Sequence, residues 1–266
     1  MMVDSRSMDR PAGTGFASYL AAGGWHVYLF DVRGHGASSP RAEEGGRWSY
    51  DDIVRYDLPA ITAEVRSRHP DLPVVLVGHS LCGHASVAAA GSGLYRVPPD
   101  AHVLVSANMW LPSLEPRWWR RRLKGFTTWV LWAITVLVGR FPSRFLRMGP
   151  ADEAKPYVSD LRRFWSSGRW SSADGTHDYL AGLAEVEGPV LALVGSGDRL
   201  LAHVSGARNW AECLGGQGVD FRVLGRGDLG LVFNPDHMTL VTDVRATPVW
   251  DMVLDWMTAA VVPMGD

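Results

Sequence analysis

Ser80 stands in the run Gly78-His79-Ser80-Leu81-Cys82-Gly83, directly after the apolar stretch Val74–Val77 and ahead of an alanine-rich stretch. A serine at the apex of a sharp strand-to-helix turn is lifted clear of the sheet with its hydroxyl exposed. The helix behind it offers free backbone N–H groups and a field that favours negative charge. Such a turn demands small residues two before and two after the serine, because their backbones approach closely. Gly78 meets the demand, and Cys82 stands where a second glycine is usual. The pattern predicts a nucleophilic Ser80, with the backbone N–H of Leu81, the next residue, as a donor to an oxyanion.

A serine hydroxyl attacks only when a base takes its proton, and the base needs an acid to orient it. In this turn architecture the partners follow in the order serine, acid, histidine, each after a later strand. Asp198 closes Gly195-Ser196-Gly197-Asp198 after the apolar run Val190–Val194. His237 lies in Asn234-Pro235-Asp236-His237, beyond the run Asp220–Leu224. Asp198 is therefore the expected acid, with helix capping as its bland reading, and His237 is the expected base. His203 is a rival base but falls only five residues after Asp198, inside the next helical stretch. His79 and His84 flank the serine, yet the turn points them away from its hydroxyl.

These residues need a frame. Short β-branched runs at His26–Asp31, Val74–Val77, His102–Val105, Val190–Val194 and Asp220–Leu224 have the length and continuity of strands covered on both faces. Amphipathic stretches at Gly15–Ala22, Asp51–His69, Ala85–Gly91, His203–Leu214 and Pro248–Val261 lie between or beside them. Alternation of the two kinds predicts an α/β fold with a mainly parallel sheet flanked by helices. From Trp110 to Val186 the rhythm breaks. Seven tryptophans fall there and no strand-like run is seen, which reads as a helical lid insertion. The expected organisation is a first core part over 1–109, a lid over 110–186 and a second core part over 187–266.

The 266 residues carry a formal net charge of −2, which gives no reason to expect nucleic acid. Two cysteines, Cys82 and Cys213, are too few for a disulfide framework, lack metal-site spacing and suit a reducing compartment. No metal or organic cofactor is expected. The first fifteen residues lack the apolar core of a signal peptide, so a cytoplasmic location is expected. The longest apolar run, Phe126–Val138, is shorter than the about 20 residues a membrane span needs. As a helix it is apolar most of the way round, which predicts burial against the sheet or along a channel for an apolar substrate. Arg117, Arg120, Arg121, Arg122 and Lys124 just before it read either as contacts to anionic lipid or as a solvated face.

At these residues the sequence resembles the α/β-hydrolase superfamily, in the branch of serine-aminopeptidase-like hydrolases and monoacylglycerol-lipase-like esterases. Gly78–Gly83 resembles its GHSxGG turn, and Asp31-Val32-Arg33-Gly34-His35-Gly36-Ala37-Ser38 resembles its D-x-R-G-H-G-x-S loop. Gly195–Asp198 and Pro235–Met238 resemble its acid and histidine loops, and the tryptophan-rich insertion falls where the family carries a lid. The resemblance runs from about residue 14 to the end. It implies a serine hydrolase that cleaves a carboxylic ester with an apolar or lipid-like acyl group.

One part of the family pattern is missing. Family members have two or three strands before the first seen here, and the third ends in an oxyanion-hole loop. Residues 1–15 contain neither; Gly13 alone falls near the loop's place. Since that third strand lies between the fourth and fifth, His26–Asp31 and Val74–Val77 are expected to flank an empty slot or to pair directly, or else the true start lies upstream. Loss of one oxyanion donor typically costs about 10²–10³ in turnover. A fold that binds without turnover is therefore the alternative reading. Removal of halide on the same fold needs an aspartate nucleophile, against which Ser80 argues.

Overall fold

The computed structural model describes residues 5–9, 14–215 and 218–261. Gly13, the position nearest the expected oxyanion loop, lies outside them. Four strands, β1 (Val75–His79), β2 (Ala101–Val105), β5 (Val190–Gly195) and β6 (Val219–Leu224), form one parallel sheet in the order β1-β2-β5-β6. A two-stranded antiparallel ribbon pairs β3 (Arg140–Phe141) with β4 (Glu153–Ala154). The insertion thus holds a short ribbon where no strand was expected.

β5 is apolar along its length and β2 is apolar apart from His102, and both are wholly buried, as strands covered on both faces must be. One core layer packs Phe16 and Leu20 of α2 (Phe16–Ala22) with Val249, Trp250 and Val253 of α8 (Thr247–Val261). The opposite layer holds Ile53, Leu58 of α3 (Leu58–Arg68), and Ala85 and Ala88 of α4 (Leu81–Gly91). The helix expected over Asp51–His69 is broken into Tyr50–Asp52, a π-turn at Ile53–Asp57 and α3. Pro59 sits in the first turn of α3, and a proline lacks the N–H that would continue the ladder through this point.

The run His26–Asp31 is not a strand. It makes no ladder, and Tyr28 and Leu29 are exposed. Its composition is that of a strand, but the position next to it in the sheet is unfilled. Nor does it pair with β1. Val74 accepts from Asp100 N and Ser80 N donates to Val105, both toward β2. The alternation of strand backbone therefore turns the N–H and C=O groups of Val75 and Val77 away from the sheet. Between β1 and residues 25–30 lies an apolar cleft of about 610 Å³. A strand fills about 160 Å³ per residue at the usual spacings of roughly 3.3 Å, 4.8 Å and 10 Å. The cleft thus has the capacity of about four strand residues.

The insertion is led by α5 (Trp118–Val138), followed by α6 (Lys155–Ser167). Contrary to the expectation of an all-round apolar helix that buries itself, α5 turns Arg120, Lys124, Thr128 and Thr135 inward. Its apolar side chains Trp118, Phe126, Trp129 and Leu137 face solvent. Lys124 Nζ lies 2.9 Å from Glu115 Oε2, and Arg120 lies 3.7 Å from the same carboxylate. Arg120 and Lys124 are therefore not available to headgroups, because an almost fully buried acid holds them.

Candidate active site

β1 ends in the turn that carries Ser80. The serine has φ 51° and ψ −114°, a strained conformation for a residue with a Cβ. A Cβ at Gly78 would stand 2.6 Å from the Gly83 backbone. The tight approach is thus between Gly78 and Gly83, which is why Cys82 is tolerated where a second glycine is usual. The turn ends directly in α4, whose first residue is Leu81. Its N–H precedes any intrahelical acceptor and lies next to Ser80 in the chain.

The loops after β5 and β6 bring the other two residues to this point. His237 Nε2 lies 2.9 Å from Ser80 Oγ, and His237 Nδ1 lies 2.6 Å from Asp198 Oδ2. Asp198 also accepts from the N–H groups of Leu200, Leu201 and Ala202, so it caps its loop and holds the histidine at once. Burial raises the Asp198 carboxyl, but hydrogen bonds from His237 and from these amides outweigh burial and hold it below the ordinary carboxylate range. The acid therefore stays ionised beside the imidazole.

The remaining histidines take other places. His203 caps α7 (Val204–Ala211) by accepting from Ser205 N. His84 is buried against the Tyr50 hydroxyl, 2.9 Å away, although it also lines the pocket beside Ser80. His79 donates from Nε2 to the His237 carbonyl at 2.7 Å. Burial, with the neighbouring His237, pushes its pKa down to about 3, so it is neutral and holds the loop of the expected base. Its alternation along β1 points it away from the hydroxyl, yet it is tied to the base through the backbone.

Ser80 opens onto a pocket of about 130 Å³ lined by Met109, Trp110, Leu131, Val158 and Leu161, among others. Thr128 and Leu131 bring the inner face of α5 over it. Two polar residues of the lining just past β2 went unpredicted. Ser106, just past β2 at φ 51°, has a buried hydroxyl with no hydrogen-bond partner among the described residues. Asn108 donates to Leu201 O while its own carbonyl oxygen is unpartnered. The signal was the strand-end location of Ser106-Ala107-Asn108, one strand along from Ser80. No cluster of His, Cys, Asp and Glu suited to a metal is present among the described residues.

A serine, an imidazole and an ionised acid in this linear arrangement can raise the hydroxyl to a nucleophile toward a carbonyl. On the other side of Ser80, the cleft and residues 25–31 contribute no backbone donor to the pocket lining.

The solved structures similar in fold include a monoacylglycerol lipase from Paleococcus ferrophilus, at 16% identity and TM-score 0.58, covering 95% of this chain and 91% of that one. A soluble variant of the monoglyceride lipase from Saccharomyces cerevisiae reaches TM-score 0.65 at 15% identity, covering 92% and 81%. MenH from S. aureus matches at TM-score 0.59 and 15% identity, covering 97% and 90%. These identities speak for the fold alone. No curated protein matches the chain in sequence. The profile of the family described as serine aminopeptidase, S33, matches residues 12–225, well over half of the sequence. On that match, together with the parallel sheet and the Ser80 turn, the chain belongs to the serine aminopeptidase S33 family within the α/β-hydrolase superfamily.

Proposed function

We propose that this protein is a serine hydrolase that cleaves a carboxylic ester through an acyl-enzyme on Ser80. The observation that carries the reading is the unbroken chain from Ser80 Oγ through His237 to Asp198, at 2.9 and 2.6 Å. Lipase in the names of proteins sharing the fold is consistent with it.

In this mechanism Asp198 accepts from Nδ1–H of His237, which leaves Nε2 free to accept the Ser80 proton. As Ser80 Oγ bonds to the ester carbon, the proton passes to Nε2 and the carbonyl oxygen becomes an oxyanion beside Leu81 N–H. His237 then gives the proton to the departing alkoxide, which leaves as an alcohol. Water, deprotonated by His237, attacks the acyl-enzyme and regenerates Ser80. His79 is a positioning residue, holding the His237 carbonyl.

The apolar lining fits an acyl group better than a polar one. The pocket of about 130 Å³ is close to the roughly 150 Å³ of an engineered cavity that takes benzene. A short acyl chain therefore fits under α5, and a long one requires α5 to shift.

The test is intact-mass measurement after treatment with a fluorophosphonate, on the parent chain and on Ser80→Ala. One adduct on the parent and none on the variant is the expected result. Turnover of p-nitrophenyl esters should then fall as the acyl chain lengthens. A folded parent that takes no adduct would sink the hydrolase reading. It would favour a fold that binds without turnover, the reading that a single visible oxyanion donor supports.

A further inference from the structure

α5 is built inside out. Successive helix positions are about 100° apart. Trp118, Arg122, Phe126, Trp129, Ala133, Val136 and Leu137 therefore share one face, opposite Arg120, Lys124, Thr128 and Thr135. The first face is the one in water. Trp118 is 70% exposed, Phe126 62% and Leu137 85%, while the polar side is buried on Glu115 and over the pocket. Phe126 and Trp129 stack on each other in the open. Seven residues past the helix end, Phe145 is 86% exposed, with Leu146 beside it. An exposed apolar face of this extent along one helix marks an interaction surface.

The charge around the face says what covers it. Between Pro116 and Ala151 the sequence has eight basic residues and no acidic one, in a chain of net charge −2. Arg120 and Lys124 are engaged by Glu115, Arg140 by Asp152 and Arg144 by Glu43. Arg121 donates from its guanidinium to the Glu115 backbone carbonyl, whereas Arg117, Arg122 and Arg147 are exposed and have no carboxylate within ion-pair distance among the described residues. Arg122 lies over the Trp118 ring. A second copy of the chain fits poorly, since a two-fold contact would set this face against itself, arginine against arginine. Tryptophan and phenylalanine rimmed by unpaired arginine is the composition of a helix lying in the plane of an anionic membrane surface. No helix among the described residues is long and apolar enough to cross a membrane, so the helix would lie on the bilayer and not span it.

We infer that the outer face of α5, with Phe145 and Leu146, docks on an anionic lipid bilayer. The inference does not require Ser80 to be a nucleophile. If both hold, the inner face of the same helix roofs the pocket, and an ester dissolved in the lipid reaches Ser80 along α5.

The test is flotation of the full chain with vesicles of phosphatidylcholine containing phosphatidylglycerol, and with phosphatidylcholine alone. The parent should float with the anionic vesicles, with a blue shift of tryptophan emission, and less well with the neutral ones. Each unpaired arginine should be worth about fivefold in partition at low salt. Arg117→Ser with Arg122→Ser should therefore weaken anionic binding by at least about tenfold and leave neutral binding as it was. Phe126→Ser, Trp129→Ser and Leu137→Ser together should abolish flotation while circular dichroism stays at the parent value, since these side chains contribute little to the core. Ser80→Ala should float like the parent, which separates this inference from the catalytic one. A parent that stays with the soluble fraction would overturn it. So would flotation indifferent to the triple variant, or sedimentation showing that the face closes a dimer instead.

Discussion

The two sides of Ser80 are unequally built. On one side, the loops after β5 and β6 deliver Asp198 and His237 at hydrogen-bond distance, and His79 pins the loop from beneath. On the other side, β1 faces a cleft and the run 26–31 joins no sheet among the described residues. In the proposed hydrolase the three proton-handling side chains are in place, whereas among the described residues the oxyanion donor identified is Leu81 N–H. The comparison teaches that the two halves are separable. The first is carried by the loops after β5 and β6, at the far side of the sheet from the cleft that borders β1.

The largest effect should come from breaking the built side. Asp198→Asn keeps the shape but presents the wrong hydrogen-bonding to Nδ1, and turnover of a p-nitrophenyl ester should fall about 10⁴-fold. An effect below tenfold would mean that the acid serves only as a cap for Leu200–Ala202. His79→Leu leaves the buried His237 carbonyl without a donor, a loss of about 1–3 kcal/mol. The expected outcome is a kcat lower by about tenfold or more, with KM held within about twofold. A rise in KM with kcat intact would instead place His79 in substrate binding.

Both the open edge and the closed centre should show in the pH dependence of stability. Burial pushes His79 and His84 down to about 3 and His102 to about 4. Their unfolded forms take up protons near the ordinary value of about 6.5. Below that value the unfolded state binds more protons, so stability is complete above about pH 6.5 and falls toward pH 4. The slope approaches about 1.4 kcal/mol per pH unit for each histidine. His35 acts in the opposite sense: burial lowers it but Glu153 raises it further, and it is one group against four, since burial also lowers His203. Urea midpoints should be clearly lower at pH 5 than at pH 7, and equal midpoints would contradict the burial of these rings.

The smallest effect belongs to the cleft. Its apolar walls should bind a hydrophobic dye and promote association through the β1 edge at high concentration. Val75→Lys, on the outward row, should reduce both, read by dye fluorescence and light scattering, with ester turnover unchanged.

Much of this was legible in the sequence where chemistry sits close to the element that holds it. Ser80, Asp198 and His237 each follow an apolar run within a few residues or one loop, so strand ends predict their place. His26–Asp31 was misread because β-branched composition says that a segment suits a sheet, not that a neighbour is there to pair with it. The orientation of α5 was illegible for a related reason. Periodicity shows that Phe126 and Trp129 share a face with Leu137, but the acid that pulls the other face inward, Glu115, lies outside the helix. Ser106 and Asn108 escaped because they enter the pocket from a strand without a motif of its own.

The open cleft also bears on the shape of the stability curve. In a filled sheet, the walls formed by Trp25, Val27, Val75 and Val77 would be dry in the native state and wet only after unfolding. Here they are already partly hydrated before the chain unfolds. Less apolar surface is newly exposed on unfolding, so the heat capacity increment should fall below the usual about 12–15 cal/mol/K per residue. The stability curve is correspondingly flatter. A segment seated in the cleft would steepen it while raising its maximum, a change that calorimetry reads without reference to any reaction at Ser80.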